Sequence, residues 1–349
     1  MGGQVALIAG ATGLIGRRVA EHLQRLGWDV IGLARRPVPG GAVRLIGIDL
    51  TDASDCRSKL AALGNVTHVF YTARYDHPEG VAESVEINAA MLSNLVEAVE
   101  PVAAGLHHIH AVHGTKYYGH HLGPLTVPAR EDDPRAPAPN FYYQQEDYLR
   151  ARQRGKRWSY STSRPHTYCD ASWDEPRNIG LLIAVYAAVL RELGLPLAYP
   201  GTEKSFRVAT QFTALPLLAR ALAWMAAEPR CANQAYNIVN GDAPRWSELW
   251  PRLAAYFGMP AGPANPVRLC EWMADKDAVW QAVIRKHGLR PTALHSLVRW
   301  PYGNYVFAPE WDIISDGSKA RSHGFAETVD SAKMFLDIFK FLRAGKIVP

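Results

Sequence analysis

Two adjacent tyrosines and one lysine are the side chains of this sequence best suited to acid–base chemistry. Tyr142 and Tyr143 stand in Pro139-Asn140-Phe141-Tyr142-Tyr143-Gln144-Gln145-Glu146-Asp147, which opens a helical stretch carrying Leu149 and a basic series, Arg150, Arg152 and Arg154. A phenol at the start of a helix can donate a hydrogen bond to a carbonyl oxygen on which negative charge is developing. Successive helical residues point about 100° apart, so only one of the pair can face a site. The alternative is that both anchor the helix in the core. Lys116 lies in His113-Gly114-Thr115-Lys116-Tyr117-Tyr118-Gly119, after the run Leu106 to Val112, and Lys59 is the only other lysine among the first 155 residues. An ammonium there could lower a phenol pKa from its ordinary value of about 10, or simply open a solvated loop.

A second group of residues is suited to holding phosphate. The run Val5 to Ala9 leads into Gly10-Ala11-Thr12-Gly13-Leu14-Ile15-Gly16, and Val19, Leu23 and Leu26 follow at helical spacing. A buried strand, a glycine turn and an amphipathic helix form the opening of a dinucleotide-binding βαβ unit. Gly10 permits the tight turn, Gly13 removes the side chain under the phosphates, and Gly16 lets the helix pack closely. Thr12, Leu14 and Ile15 complete a turn whose N–H groups face the anion. The second strand, Trp28 to Ala34, ends in Arg35-Arg36-Pro37. An NAD site carries an acid about 20 residues past the glycines, whereas two guanidiniums favour a 2′-phosphate. NADPH/NADP+ is therefore the expected cofactor, the plain alternative being a solvated arginine pair. Asp49, behind Arg44 to Ile48, is placed to accept from the adenine amine or is a surface loop acid. Leu50 beside it, Thr72 and Ala73 after strand four, and Pro165 and His166 after strand six complete the expected cofactor contacts. Lys116 then falls near the nicotinamide ribose, at the strand edge where open α/β sheets take ligands.

The elements that must position these residues alternate. Strands are expected at Val66 to Tyr71, Leu106 to Val112 and Trp158 to Arg164, with a helix over Ser84 to Val99. This is the pattern of an α/β, Rossmann-type doubly wound parallel sheet. The connection Gly119 to Pro139 holds five prolines, and a loop of that length borders or covers a site. Helices are expected over Ile179 to Leu193 and about Ala209 to Ala227, and strands at Leu197 to Gly201 and Gln234 to Val239. From Arg245 the chain reads as mostly helical, and seven of ten tryptophans lie at or beyond Trp224. Core packing explains most of them, and a cap with an apolar pocket is the sharper reading. The expected organisation is a nucleotide-binding domain over 1–165, with a later return of about 205–240 to it. A smaller, mostly helical C-terminal substrate-binding region, 166–204 and 241–349, is interwoven with it.

Composition narrows the partners. An apolar content of 48%, a charged content of 20% and a net charge of +5 describe an ordinary globular chain. Its arginines are scattered, which argues against a nucleic-acid surface. Four dispersed cysteines fit reduced thiols in a cytoplasmic protein. The longest apolar run, Ile179 to Leu190, is 12 residues, too short to span a bilayer. Sequence position leaves no room for a signal peptide before the first strand. His108 and His110 share one strand face and His107 and His113 the other. Without a carboxylate or thiolate at ligand spacing, packed histidines are favoured over a metal site.

The sequence resembles the progesterone 5β-reductase and iridoid synthase-like family of atypical, extended short-chain dehydrogenases/reductases. The resemblance runs nearly end to end, through the glycine turn, Ala34-Arg35-Arg36, Val66 to Tyr71, Thr115-Lys116-x-Tyr118, Asn140-Phe141-Tyr142-Tyr143-x-x-Glu146-Asp147, Ser163-Arg164-Pro165, Asn237-Ile238-x-Asn240-Gly241-Asp242 and Lys346-Ile347-Val348-Pro349. Ordinary short-chain dehydrogenases carry Tyr-x-x-x-Lys. Here Tyr142 is followed at that spacing by Glu146 and Tyr143 by Asp147, so the lysine must come from elsewhere, and Lys116 fits. The resemblance implies NADPH-dependent reduction of a carbon–carbon double bond conjugated to a carbonyl in a small apolar substrate. It also implies an enolate oxygen held by Tyr142, the first of the pair, with electrostatic support from Lys116. The sequence departs from the family after Lys116 and at His166-Thr167-Tyr168-Cys169-Asp170, segments expected to border the nicotinamide and the substrate entrance. Carbonyl reduction and redox-neutral epimerase or dehydratase chemistry use the same parts. A non-catalytic NADP-binding regulator would need neither Lys116 nor Tyr142. A homodimer is the candidate assembly.

Overall fold

Strands that are apolar on both faces have to be covered on both faces, and every residue of Val5–Ala9 and His68–Tyr71 is buried. The structure, a computed structural model, describes residues 3–37, 41–76 and 83–349. Its strands are β1 (Val5–Ala9), β2 (Asp29–Ala34), β3 (Arg44–Gly47), β4 (His68–Tyr71), β5 (His108–Val112), β6 (Ser159–Pro165), β7 (Thr167–Cys169), β8 (Leu197–Tyr199), β9 (Phe212–Ala214), β10 (Gln234–Ile238) and β11 (Ala261–Ala264). Seven of them form one parallel sheet in the order β10-β6-β5-β4-β1-β2-β3. The order reverses between β1 and β4, and at that reversal the carboxyl ends of the strands open a crevice.

The helices that matter for the site are α1 (Leu14–Arg25), α2 (Ala53–Leu60), α3 (Val85–Val99), α4 (Phe141–Gln153), α5 (Ile179–Glu192), α6 (Glu203–Arg207) and α7 (Leu215–Ala227). Val19 and Leu23 of α1 share a core with Leu218 and Leu222 of α7 on one side of the sheet. Leu60, Leu92, Leu95 and Leu149, from α2, α3 and α4, share the core on the other side. Every residue of α5 from Ile179 to Leu190 is buried, as a helix that is apolar all round must be. Trp250, Trp280, Trp300, Phe335 and Phe339 join the same core, so packing accounts for many of the C-terminal aromatics. Among the described residues no helix is long and apolar enough to cross a membrane.

Two expectations are corrected. Leu26 does not extend the buried stripe of α1: it caps the helix C-terminus and is 55% exposed. The helix expected from Ala209 begins at Leu215. Backbone from 209 to 214 is used by strand pairing instead, with β9 parallel to β7, Ala209 bridged to Arg245 and Thr210 to Ile313. Pro216 in the first turn, where no N–H is needed, then sets the start of α7.

His108 and His110 are built into β5 as a ladder against β6. The ring nitrogens of His108 meet Ser159 Oγ and Ser161 Oγ at 2.8 Å, and those of His110 meet Ser161 Oγ at 2.8 Å and Ser163 Oγ at 3.0 Å. Burial, reinforced by the neighbouring histidines, holds His108 well below its ordinary value and His110 down to about 3. The unfolded chain protonates these rings near pH 6.5, so between that pH and the folded value it binds more protons than the native state. Stability therefore falls as pH drops below about 6.5, by up to about 1.4 kcal/mol per pH unit for each ring. Urea unfolding of His110→Gln should show this slope shallower by about one proton between about pH 6 and pH 4. An unchanged slope would refute the assignment.

Candidate active site

The glycine turn is shaped by distances that only glycine tolerates. Gly10 adopts φ +78°, and its N–H and that of Ala11 both donate to the Leu33 carbonyl, drawing the turn across the end of β2. A Cβ on Gly16 would lie 2.2 Å from the Gly10 carbonyl oxygen and 2.8 Å from Ala11 Cα, so α1 could not approach β1 with any other residue there. A Cβ on Gly13 would meet only the Gly10 oxygen, at 3.4 Å. No side chain caps α1, which leaves the backbone N–H groups of its first turn to an anion.

Below this turn runs a cleft of about 740 Å³. It brings together Gly10, Thr12, Gly13, Leu14, Ile15, Gly16, Arg35, Asp49, Leu50, Thr72 and Ala73, eleven of the positions expected to hold a cofactor. Thr72 Oγ1 donates to the Ala9 carbonyl at 2.7 Å, pinning the β4 end beside Gly10. The backbone N–H and hydroxyl of Thr51 both donate to Asp49 Oδ1 and hold that carboxyl below the usual range. Arg36 is exposed and does not line the cleft, and neither do Pro165 and His166. His166 is buried away from it, with its N–H on Thr213 Oγ1 at 2.9 Å and its ring on Ser315 Oγ at 2.7 Å.

Apart from Tyr168, in a segment expected to border the site, the far wall was not signalled by the sequence. It is made by Arg74, Asp76, Tyr168, Glu175, Arg177 and Arg299. Arg177 donates to Asp76 at 2.9 Å, and Arg299 lies 3.7 Å from the same carboxylate. These pairs join residues a hundred or more positions apart, and no local spacing signals them.

Tyr142 and Lys116 lie at the carboxyl ends of β5 and β6 rather than in the glycine cleft. Asn140 caps α4 by accepting from the Tyr142 N–H at 3.0 Å. A Cβ built on Gly114 would lie 3.4 Å from the Tyr142 hydroxyl and 3.7 Å from the Pro165 carbonyl, so the phenol rests on the glycine that follows His113. The His113 ring, itself buried, stacks on Tyr142 with centroids 4.8 Å apart. Lys116 stands on a four-residue 3-10 turn, Thr115–Tyr118. Its Nζ is 3.2 Å from Glu83 Oε2 and 5.5 Å from the centre of the Tyr305 ring. Arg74 meets the other Glu83 oxygen at 2.7 Å, so this carboxylate joins Lys116 to the cleft wall.

The electrostatics run against the simplest expectation. Burial pushes the Tyr142 phenol up, and the largest influence opposing it is the guanidinium of Arg74. A phenol held this way stays protonated and is suited to donating a hydrogen bond rather than to surrendering its proton. Tyr143 is turned elsewhere, donating to the Tyr117 carbonyl at 2.6 Å and accepting from the Ala136 N–H at 2.9 Å. The 119–139 loop packs against this end, the Glu131 carbonyl accepting from Arg164 at 3.0 Å, and His120 at its start meets the Tyr305 hydroxyl at 3.2 Å.

An (S)-8-oxocitronellyl enol synthase of Camptotheca acuminata is 34% identical over 368 residues, covering 99% of this chain and 93% of that protein. A 3-oxo-Delta(4,5)-steroid 5-beta-reductase of Arabidopsis thaliana is 33% identical over 366 residues, with coverage of 99% and 93%. Among solved structures, a short-chain dehydrogenase/reductase superfamily protein of Agrobacterium tumefaciens with bound NAD superposes with a TM-score of 0.69 at 16% identity, covering 98% of each chain. At that identity the likeness speaks for the fold. Residues 45–349 match the PRISE-like Rossmann-fold domain, and the chain belongs to that family.

Proposed function

We propose that this chain is an NADPH-dependent reductase of carbon–carbon double bonds conjugated to a carbonyl. The observation that carries the reading is the placement of the Tyr142 hydroxyl against Gly114, at the carboxyl edge of β5 and β6. The two plant relatives support it, since one is named for an enol product and the other for reduction of a 3-oxo-Delta(4,5)-steroid.

The residues present fit the cofactor. The uncapped first turn of α1 and the close-packed glycines suit a pyrophosphate, and Arg35 at the cleft suits a 2′-phosphate. Asp49 keeps a carboxylate oxygen beside the adenine end. Bound NADPH would supply a hydride to the β-carbon of the substrate. Tyr142 would donate a hydrogen bond to the carbonyl oxygen as it gains enolate character and keep its proton, and solvent would supply the proton that completes the reduction. Lys116 adds positive charge at the same end and is itself oriented by Glu83. The Tyr305 ring lies 5.5 Å from the Lys116 ammonium and offers it a cation–π contact. In this reading residues 1–165 and about 205–240 hold the nucleotide. Residues 166–204 and 241–349 shape the substrate chamber, into which the helix Trp300–Phe307 brings Tyr305.

Two measurements test the proposal. Turnover of NADPH with cyclohexenone, citral and matched saturated ketones should favour the conjugated substrates, and Tyr142→Phe should lower kcat by about 10²–10³, the typical cost of one oxyanion donor. Retention of full enone turnover in Tyr142→Phe would refute the assignment. For the cofactor, Arg35→Ala should weaken NADPH binding by about 10–100-fold, the worth of a charge-assisted phosphate bond, while leaving NADH binding within about twofold. Arg36→Ala, outside the cleft, should change neither affinity.

A further inference from the structure

A 3-10 turn of four residues has poor internal hydrogen bonding, so the position of Lys116 has to be set by what the turn leans on. Its own backbone contributes Tyr117 N–H to the Gly114 carbonyl at 2.9 Å and Gly119 N–H to the Lys116 carbonyl at 3.1 Å. Three further bonds run to the helix that carries Tyr142. Asn140 Nδ2 donates to the Lys116 carbonyl at 2.9 Å, Tyr143 Oη donates to the Tyr117 carbonyl at 2.6 Å, and Tyr117 Oη donates to Glu146 Oε2 at 2.5 Å. The third differs in kind, because it joins side chain to side chain deep in the fold.

Glu146 is four residues beyond Tyr142, one helical turn along nearly the same face of α4. A bond at Glu146 therefore fixes the rotation of α4 about its axis and with it the direction of the Tyr142 phenol. The carboxylate is 5% exposed, and its charge is matched by Arg135 Nη2 at 3.1 Å and Arg164 Nη2 at 3.6 Å. The Arg164 guanidinium also lies 3.4 Å from the centre of the Tyr117 ring, so the ring is held from its face as well as from its hydroxyl.

We infer that Tyr117 and Glu146 are positioning residues whose buried hydrogen bond keeps the Lys116-bearing turn in register with the Tyr142-bearing helix. The inference rests on the reading of Tyr142 and Lys116 as the pair that meets the substrate. Neither Tyr117 nor Glu146 touches substrate. Their effect on turnover passes through the placement of the ammonium and the phenol, where a displacement of about 1 Å is enough to cost up to about 100-fold.

The test compares Tyr117→Phe, Lys116→Ala and the double variant, with cyclohexenone and NADPH. Tyr117→Phe keeps the ring under Arg164 and removes only the hydroxyl. Its kcat should fall by about 10–100-fold, while the KM for cyclohexenone and the NADPH dissociation constant stay within about twofold. Backbone amides of 115–119 should exchange faster, because the turn loses a tertiary tie. In the Lys116→Ala background the same change should cost several-fold less than it does alone, since only the phenol and no ammonium is left to misplace. A purely structural bond would lower the melting temperature and leave kcat intact well below it. Wild-type kcat in Tyr117→Phe, or losses that multiply in the double variant, would overturn the inference. Glu146→Gln should reproduce the Tyr117→Phe profile if it folds, and Tyr117→Phe decides alone if it does not. Full turnover in Lys116→Ala would overturn the underlying reading and the clamp with it, whereas a large loss there beside an unaffected Tyr117→Phe overturns the clamp only.

Discussion

A guanidinium buried to 1% exposure is the constraint around which this end of the molecule is organised. Arg164, on β6, gives Nη1 to the Tyr118 hydroxyl at 2.9 Å and to the Glu131 carbonyl at 3.0 Å, and its Nη2 faces Glu146. Removing such a group from water costs several kcal/mol unless charge and hydrogen bonds replace the lost solvation. The replacement comes from the 3-10 turn, from α4 and from the long loop. Tyr118 passes the network on to β10 by donating to Asn237 Oδ1 at 2.6 Å. Segments separated by as many as 119 positions are thereby tied to one charge, and both Lys116 and Tyr142 sit on segments so tied.

The glycine cleft obeys a different constraint, close approach rather than charge. Gly16 is set by the backbone of α1 coming within contact of the β1 turn, and Gly10 by its positive φ. These are local demands, confined to a stretch of seven residues, and they dictate where an anion can be met by backbone. The far wall is built on long-range ion pairs, Arg177 and Arg299 on Asp76. It joins the residue before the N-cap of α5 and the N-cap of the helix Trp300–Phe307 to a residue that follows β4.

At the carboxyl edge of β5 and β6 the electrostatics favour donation over proton loss. Tyr142 is pushed up by burial, and Lys116 spends part of its charge on Glu83. His113, stacked on Tyr142, is held well below its ordinary value by burial, with Arg164 and Arg135 adding to it. Its two ring nitrogens have no hydrogen-bond partner among the described residues. A neutral imidazole against a neutral phenol leaves the cationic side of the site to Lys116 and Arg74. That is the polarity an oxygen gaining negative charge requires.

Much of this was legible in the residues alone, wherever the cause is local. The βαβ opening, the parallel sheet and the steric demands at Gly10 and Gly16 follow from spacing, because a strand buried on both faces and a glycine turn each need only a few consecutive residues. That one of Tyr142 and Tyr143 must turn away follows from helical geometry. Which one does was decided by tertiary contact, since Tyr143 is captured by the Tyr117 carbonyl and Ala136 N–H. Likewise Arg35 and Arg36 are indistinguishable as neighbours in a loop, and in the fold both are exposed but only Arg35 lines the cleft. The start of α7 was misplaced because apolar periodicity does not reveal that 209–214 is claimed by β7 and by residues beyond 240. Sequence by itself determined the elements and the chemical types brought to one sheet edge, through short-range sterics and hydrophobic period. Tertiary structure alone decided which side chains meet and in what ionisation state, because burial and pairing with distant charges exist only once the chain has closed on itself.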